Sequence, residues 1–435
     1  MNNGQARAYL RTLVLAAALG VPVAFAAVLY ETALHDVIHL VWDEVPDAFG
    51  WDRPAWWYVI LVPAAAGLLV AAAVRLPGHG GHAPLEGLGV EPVRPEHLPS
   101  ILTAALASLG AGLVLGPEAP LIALGLGLGL LAVRLVGADE TSGRLLALAG
   151  AFAAISTLFG GPLVAAFLLL ELAAASGKIP AQTLGRALLP GFVAAGTGAL
   201  VFTGVAGWPG LHQGSLALPP LPGYDSVRVA DLVGCAILAG VVAAVVVAFR
   251  HLAHAVAAQR FLRPTPLLVV TGLLVGTLAV AFRAAADRPV DLVLFSGQSE
   301  LPAVVAEGSA GVLVLVVAAK GLAWSFSLGG GFRGGPVFPA LTLGAAVCVA
   351  VADLDIGVRT TPAVVAGIAA AWAATLRAPF SGALIAALLV GSSAAVTTPI
   401  AVLAAAVGWL VATALPNPED RTVGAVEDAA PVASG

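Results

Sequence analysis

The chain has 435 residues, of which 59% are hydrophobic and 10% charged, and a formal net charge of −5. Soluble domains carry about 25% charged residues; a chain this apolar lacks the polar surface to face water and needs lipid as its main solvent. The acidic balance, without any basic run, excludes nucleic acid as a partner class.

Glycine (51) and proline (30) are both abundant. In a membrane they point to broken or re-entrant helices, tolerated where protein or water surrounds the freed backbone. In chain order, the first apolar run (13–30) follows Arg7 and Arg11 and reads as the first span, with a cytoplasmic N-terminal segment at 1–11. The next segment, HDVIH, places His35 and His39 at the spacing of a zinc-binding H-E-x-x-H helix, with Asp36 in place of the glutamate. It is the best enzyme reading, an intramembrane metalloprotease, but it lacks a third ligand and the general base. The main reading is a non-enzyme with no cofactor. Trp42, Trp51, Trp56, Trp57 and Tyr58 read as an interfacial aromatic belt.

Apolar runs long enough to cross, such as 56–74 and 230–249, alternate with short runs such as 162–172 and 379–390. The short ones read as half-spans or steeply tilted helices. Cys235 and Cys348 lie in apolar runs, in no disulfide or metal pattern, and read as small core residues.

Two stretches of the chain match. GLVLGPEAPLIALGLGLG (112–129) and LAGAFAAISTLFGGPLVAAFLLLE (148–171) correspond to GGGFRGGPVFPALTLGAA (329–346) and VAGIAAAWAATLRAPFSGALIAALLV (365–390). The offsets are 219 (339 − 120) and 217 (379 − 162). Matched Gly/Pro breaks at a near-constant offset mark an internally repeated transporter. The division that follows is a first membrane repeat at 12–205, a linker at 206–228, a second repeat at 229–415 and a disordered acidic tail at 416–435. The fold class is an all-α polytopic membrane protein, an inverted-repeat transporter with broken and tilted helices.

A helix N-terminus presents unpaired N–H groups and about half a positive charge. Aimed into a bilayer, it can replace part of an anion's water shell without a fixed cation. GHGGHAP (78–84), GPEAP (116–120) and GGPVFP (334–339) are the candidate breaks. Glu118 lies inside GPEAP, between apolar runs, and an ionisable group at membrane depth is usually functional. Ionised, it can fill an anion site; protonated, it can leave it. One side chain is thereby both gate and proton carrier.

These motifs resemble the CLC family of chloride channels and chloride/proton exchangers, in a prokaryotic form without cytosolic regulatory domains. GPEAP is similar to the family's Gly-x-Glu-Gly-Pro gate segment, TLFGGPLVAAFLLLE to its following break and acidic end, and GPVFP (335–339) to its Gly-x-Phe-x-Pro segment; the RAP break (377–379) also fits. The resemblance implies gating by Glu118 and anion contacts from Gly116, Pro117, Ala119, Gly335, Pro336, Val337 and Phe338, with a lesser part from Gly81, His82 and Ala83. It places Lys320 near the inner vestibule and leaves Glu171 to a proton path or a structural pairing.

Departures are specific. Gly81 stands where the family has an anion-contacting serine, and His82 at the next glycine. Val337, not phenylalanine, is third in its segment. No tyrosine follows Tyr224 to complete the central site, and Leu172 occupies the inner proton-transfer position. The expected function is transport of small anions, chloride by default and fluoride or nitrate as alternatives. The expected setting is the cell membrane, as a multi-pass protein surrounded by lipid, with one pore in each subunit of a homodimer.

Overall fold

A computed structural model describes residues 3–137, 140–176, 181–212, 214, 216–259, 264–354 and 357–416. Helix α1 (Asn3–His39) runs through a π-turn (Leu40–Glu44) into the short α2 (Val45–Ala48); α3 (Trp56–Ala73) and α4 (Leu98–Gly110) follow. Helices α5 (Glu118–Val136), α6 (Glu140–Leu158), α7 (Pro162–Ser176) and α8 (Ala181–Gly204) complete the first half. The second half holds α9 (Val229–Ala257), α10 (Pro264–Ala286), α11 (Leu301–Val305), α12 (Ala310–Gly329), α13 (Val337–Ala352), α14 (Thr360–Leu376), α15 (Pro379–Leu389) and α16 (Ala394–Ala414). Among the described residues, 8 helical segments can cross a membrane by length and composition, and five shorter apolar helices accompany them. The short helices start or stop where local chemistry requires it. Pro162 and Pro379 sit at the first helical position, where the missing N–H is no loss. Helix α14 stops at Arg377, in the left-handed region at φ 55°, just before the Ala378-Pro379 step that disfavours helix.

The repeat is visible in the packing. A Cβ added to Gly125 on α5 would lie 2.4 Å from the Gly150 carbonyl oxygen on α6. A Cβ added to Gly344 on α13 would lie 2.3 Å from that of Gly367 on α14. The pairs are related by the sequence offsets 219 (344 − 125) and 217 (367 − 150). Small residues here let two backbones touch, the usual means of helix association in lipid. Two serines obey the same rule. Ser108 Oγ accepts the Arg333 N–H at 2.9 Å, and Ser327 Oγ accepts the Val114 N–H at 3.0 Å. Both pairs are again 219 apart (327 − 108 and 333 − 114), so each half steadies the loop that precedes the other half's break. Helix α14 is buried over Thr361 to Leu376, as an all-apolar helix at the centre of a bundle must be.

Some details differ from the sequence reading. Residues from Asn3 onward are already helical, so the N-terminal segment is continuous with the helix of the first span. Trp42 does not join the aromatic belt: it is buried, donates Nε1–H to the Gly110 carbonyl at 3.0 Å and meets Phe295 edge-on at 5.5 Å. The described part of 206–228 is irregular beyond Gly204 and docks on the end of α1, where Thr32 Oγ1 accepts the His212 N–H at 3.0 Å. Residues 417–435, nearly all of the expected tail, lie outside the described residues.

The glycine contacts give a direct test. Gly150→Leu drives its side chain into the Gly125 carbonyl, 2.1 Å from the first added carbon, and is expected to separate α5 from α6. The variant should yield little monodisperse protein, or melt well below the parent by intrinsic fluorescence in detergent. Gly196→Ala on α8, with nothing within 4 Å, should instead be neutral or gain up to about 1 kcal/mol in helix propensity. Equal behaviour of the two variants would rule out backbone contact as the reason for glycine at 150.

Candidate functional site

The two breaks meet. Gly116 and Gly335 form an isolated antiparallel bridge: the Gly116 N–H donates to the Gly335 carbonyl at 2.8 Å and the Gly335 N–H to the Gly116 carbonyl at 2.6 Å. Pro117 caps α5 and Pro336 caps α13. The two helix N-termini therefore approach one point from opposite halves of the chain, where their partial positive charges add.

Glu118 is fully buried at that point. Its Oε1 accepts the Val337 N–H at 2.6 Å, and the Phe338 N–H acts on the same carboxylate. Its Oε2 has no hydrogen-bond partner among the described residues. The carboxylate also fills the space where side chains at both glycines would be. A Cβ on Gly335 would lie 2.1 Å from Glu118 Cδ, and one on Gly116 would lie 2.0 Å from Oε2. A Cβ at either glycine would require the Glu118 side chain to move.

The bridge changes which groups are available to an anion. Pro117 and Pro336 have no N–H, and the N–H groups of Gly116 and Gly335 already serve each other. The donors left at the junction are those of Val337, Phe338 and the start of α5, including Ala119. The third break adds no helix end. Pro84 opens only a 3-10 turn, Pro84–Glu86. The Gly81 N–H donates to Gly78 O at 2.8 Å, the Ala83 N–H faces Glu86 Oε2 at 3.3 Å, and His82 lies 3.9 Å from Glu91. Gly81 and His82 instead line a narrow cleft of about 40 Å³ with Ala119, Pro120, Arg333 and Gly334.

Space beside the junction is unequal. A cavity of about 660 Å³ opens where α1 ends and has Leu115 and Pro117 in its lining. Lys320 holds the loop whose Phe295 lines this cavity. It is fully buried and donates Nζ–H to the carbonyls of Val293 (3.3 Å), Leu294 (2.9 Å) and Phe295 (3.3 Å). Glu171 is a helix cap: Oε1 accepts the Phe380 N–H at 2.7 Å and Oε2 the Ser381 N–H at 2.8 Å, at the start of α15.

Beside the junction, Phe338 stacks on Phe159 at 5.6 Å, and Phe159 meets Trp372 at 5.2 Å. Trp372 donates to Ser381 Oγ at 3.0 Å, and Ser381 Oγ in turn reaches Glu171 Oε2 at 2.6 Å. Sequence reasoning missed this aromatic column, and with it Arg333, whose guanidinium donates to the His79 carbonyl at 3.2 Å and the His82 carbonyl at 3.4 Å. A lone arginine inside GGGFRGGP was the available signal.

The HDVIH segment makes no zinc site. His35 stacks on His212 at 4.0 Å, and His39 Nδ1 lies 3.3 Å from Glu44. No group of three or more metal-ligating side chains occurs among the described residues.

Comparison with known proteins agrees with anion transport over proteolysis. The chain is 30% identical over 325 residues to the ion-transport protein YfeO of Salmonella schwarzengrund, covering 71% of this chain and 72% of that one. It is 29% identical over 357 residues to YfeO of Escherichia coli O1:K1, covering 80% of each. Among solved structures, a slow cyanobacterial Cl−/H+ antiporter superposes with TM-score 0.78 at 21% identity, covering 96% of this chain and 98% of that one. A CLC-type fluoride/proton antiporter superposes with TM-score 0.66 at 18% identity, covering 93% and 95%. The pattern of the voltage gated chloride channel family matches residues 83–413. This chain is a multi-pass integral membrane protein and belongs to the voltage gated chloride channel (CLC) family of anion transporters.

Proposed function

We propose that the chain moves chloride through the junction of α5 and α13, with Glu118 as the gate. The observation that carries this reading is the Glu118 carboxylate seated on the Val337 N–H at 2.6 Å between two helix N-termini. A carboxylate held there stands in for the transported anion. Protonation removes its charge and its claim on those donors, and a chloride ion takes its place. Backbone dipoles without a fixed cation bind an anion strongly enough to enter yet weakly enough to leave. The same reading has Arg7 and Arg11 on the cytoplasmic side and a homodimer with one pore per subunit, as the family resemblance implies.

Proton coupling is expected to be weak. Leu172 stands at the inner proton-transfer position, and both Glu171 oxygens are engaged at the start of α15. In liposomes, an imposed chloride gradient should drive little uphill proton movement; robust pumping at a fixed ratio would show that another inner route exists.

Replacing Glu118 by glutamine mimics the protonated gate. Chloride efflux from liposomes should persist in Glu118→Gln and lose the larger part of its pH dependence; unchanged pH dependence would remove Glu118 from the gating role. Gly335→Val places its side chain where the carboxylate now lies, 2.1 Å from Cδ at the first added carbon. Calorimetric chloride titration should show binding weakened at least ~10-fold, about 1.4 kcal/mol, while His82→Ala stays near the parent. The reverse order would contradict a site made of backbone N–H groups.

A further inference from the structure

The 660 Å³ cavity above the junction is acid-lined, although it leads to an anion site. Glu31, Asp43, Asp291 and Glu300 are in its walls, with Leu115 and Pro117 at the end nearest Glu118. Two of these carboxylates are incompletely bonded. Glu31 is 6% exposed; its Oε2 accepts the Gly214 N–H at 2.8 Å, and Oε1 has no partner among the described residues. Glu300 Oε2 and the neighbouring Gln298 Nε2 are likewise buried without a partner. Buried polar atoms are nearly always satisfied, so these groups point to water or protons in the cavity.

Positive charge facing these groups is limited. The Lys320 ammonium lies nearest Glu300 and Asp291, but its hydrogens are directed at the carbonyls of residues 293–295. Arg283, on α10, turns to the Pro54 carbonyl at 2.7 Å. Arg288 is paired with Glu307, Nε to Oε2 at 2.8 Å. The imidazoles of His35 and His212 stack beside Glu31's end of the cavity, with Asp36 at 3.7 Å from His212, and the Tyr30 hydroxyl is buried next to Glu31 without a partner. Inside low-dielectric walls, fixed charge of one sign is focused, attracting ions of opposite sign and turning away its own.

We infer that this cavity is a proton-dependent anion filter in series with Glu118: ionised, Glu31, Asp291 and Glu300 hold chloride back, and proton uptake by them admits it. Burial raises the affinity of Glu300 and Asp291 for protons above that of an exposed carboxylate, which puts part of the switch nearer neutral pH. The sign follows directly. As pH falls these groups lose negative charge, repulsion declines and flux rises.

The inference rests on the chloride pathway proposed above, and the Glu118→Gln background separates the two. Chloride efflux from liposomes holding Glu118→Gln is measured with both faces at the same pH. Flux is expected to be about 5-fold faster near pH 5.5 than near pH 8, the smaller residue of pH dependence that the gate variant leaves. Adding Glu31→Gln, Asp291→Asn and Glu300→Gln, which keep side-chain shape, should raise the rate near pH 8 to the acid rate and flatten the profile. Raising ionic strength toward about 1 M with an impermeant salt should shrink the pH ratio, since screening then acts within about 3 Å. If the combined variant does not fold, Glu300→Gln alone in the same background is expected to reduce the ratio measurably. A flat profile in Glu118→Gln, or one that the added amides leave unaltered, overturns the filter while leaving the pathway intact. Absence of any chloride flux in Glu118→Gln overturns the pathway and the filter with it.

Discussion

The structure depends on a contact between two glycines. Gly116 and Gly335 exchange both backbone hydrogen bonds, which holds the starts of α5 and α13 together in the interior of the protein. A Cβ at either position would displace the Glu118 carboxyl group, which occupies that space. Two helix dipoles thus converge on one buried carboxylate, and the field that would otherwise need a fixed cation comes from backbone N–H groups. Ser108 and Ser327 secure the loops on either side by reciprocal bonds to the opposite half. The junction is therefore braced from both repeats at once, so a displacement of either half is felt at the site.

Around the junction the protein is asymmetric despite its repeat. A wide, acid-lined cavity includes Leu115 and Pro117 in its walls, and a narrow cleft bordered by Arg333, His82 and Gly81 includes Ala119 and Pro120. The linker between the halves accounts for part of the difference: His212 and Gly214 line the cavity by docking on the last turns of α1. The aromatic column Phe338–Phe159–Trp372 fills space beside the junction and ends on the Ser381–Glu171 pair that caps α15.

What the sequence by itself determined is the class of protein and the location of the site. A charged fraction of 10% requires lipid. Gly/Pro breaks 219 residues apart mark matched helix starts, and a lone glutamate inside one of them marks the candidate gate. These features are local, since hydropathy, helix breaking and the cost of a carboxylate in an apolar run are properties of short stretches of chain. Only the tertiary structure decided which N–H groups remain free, that Pro84 opens a mere turn, that Lys320 bonds the carbonyls of residues 293–295, and that Glu171 caps a helix. Each of these depends on a partner far away along the chain: Gly335 for Gly116, Leu294 for Lys320, Phe380 for Glu171. The identity of a side chain states what it can bond, but a hydrogen bond is satisfied by whichever group the fold brings within about 3 Å, and in a chain of tightly packed small residues that choice is made by helix packing.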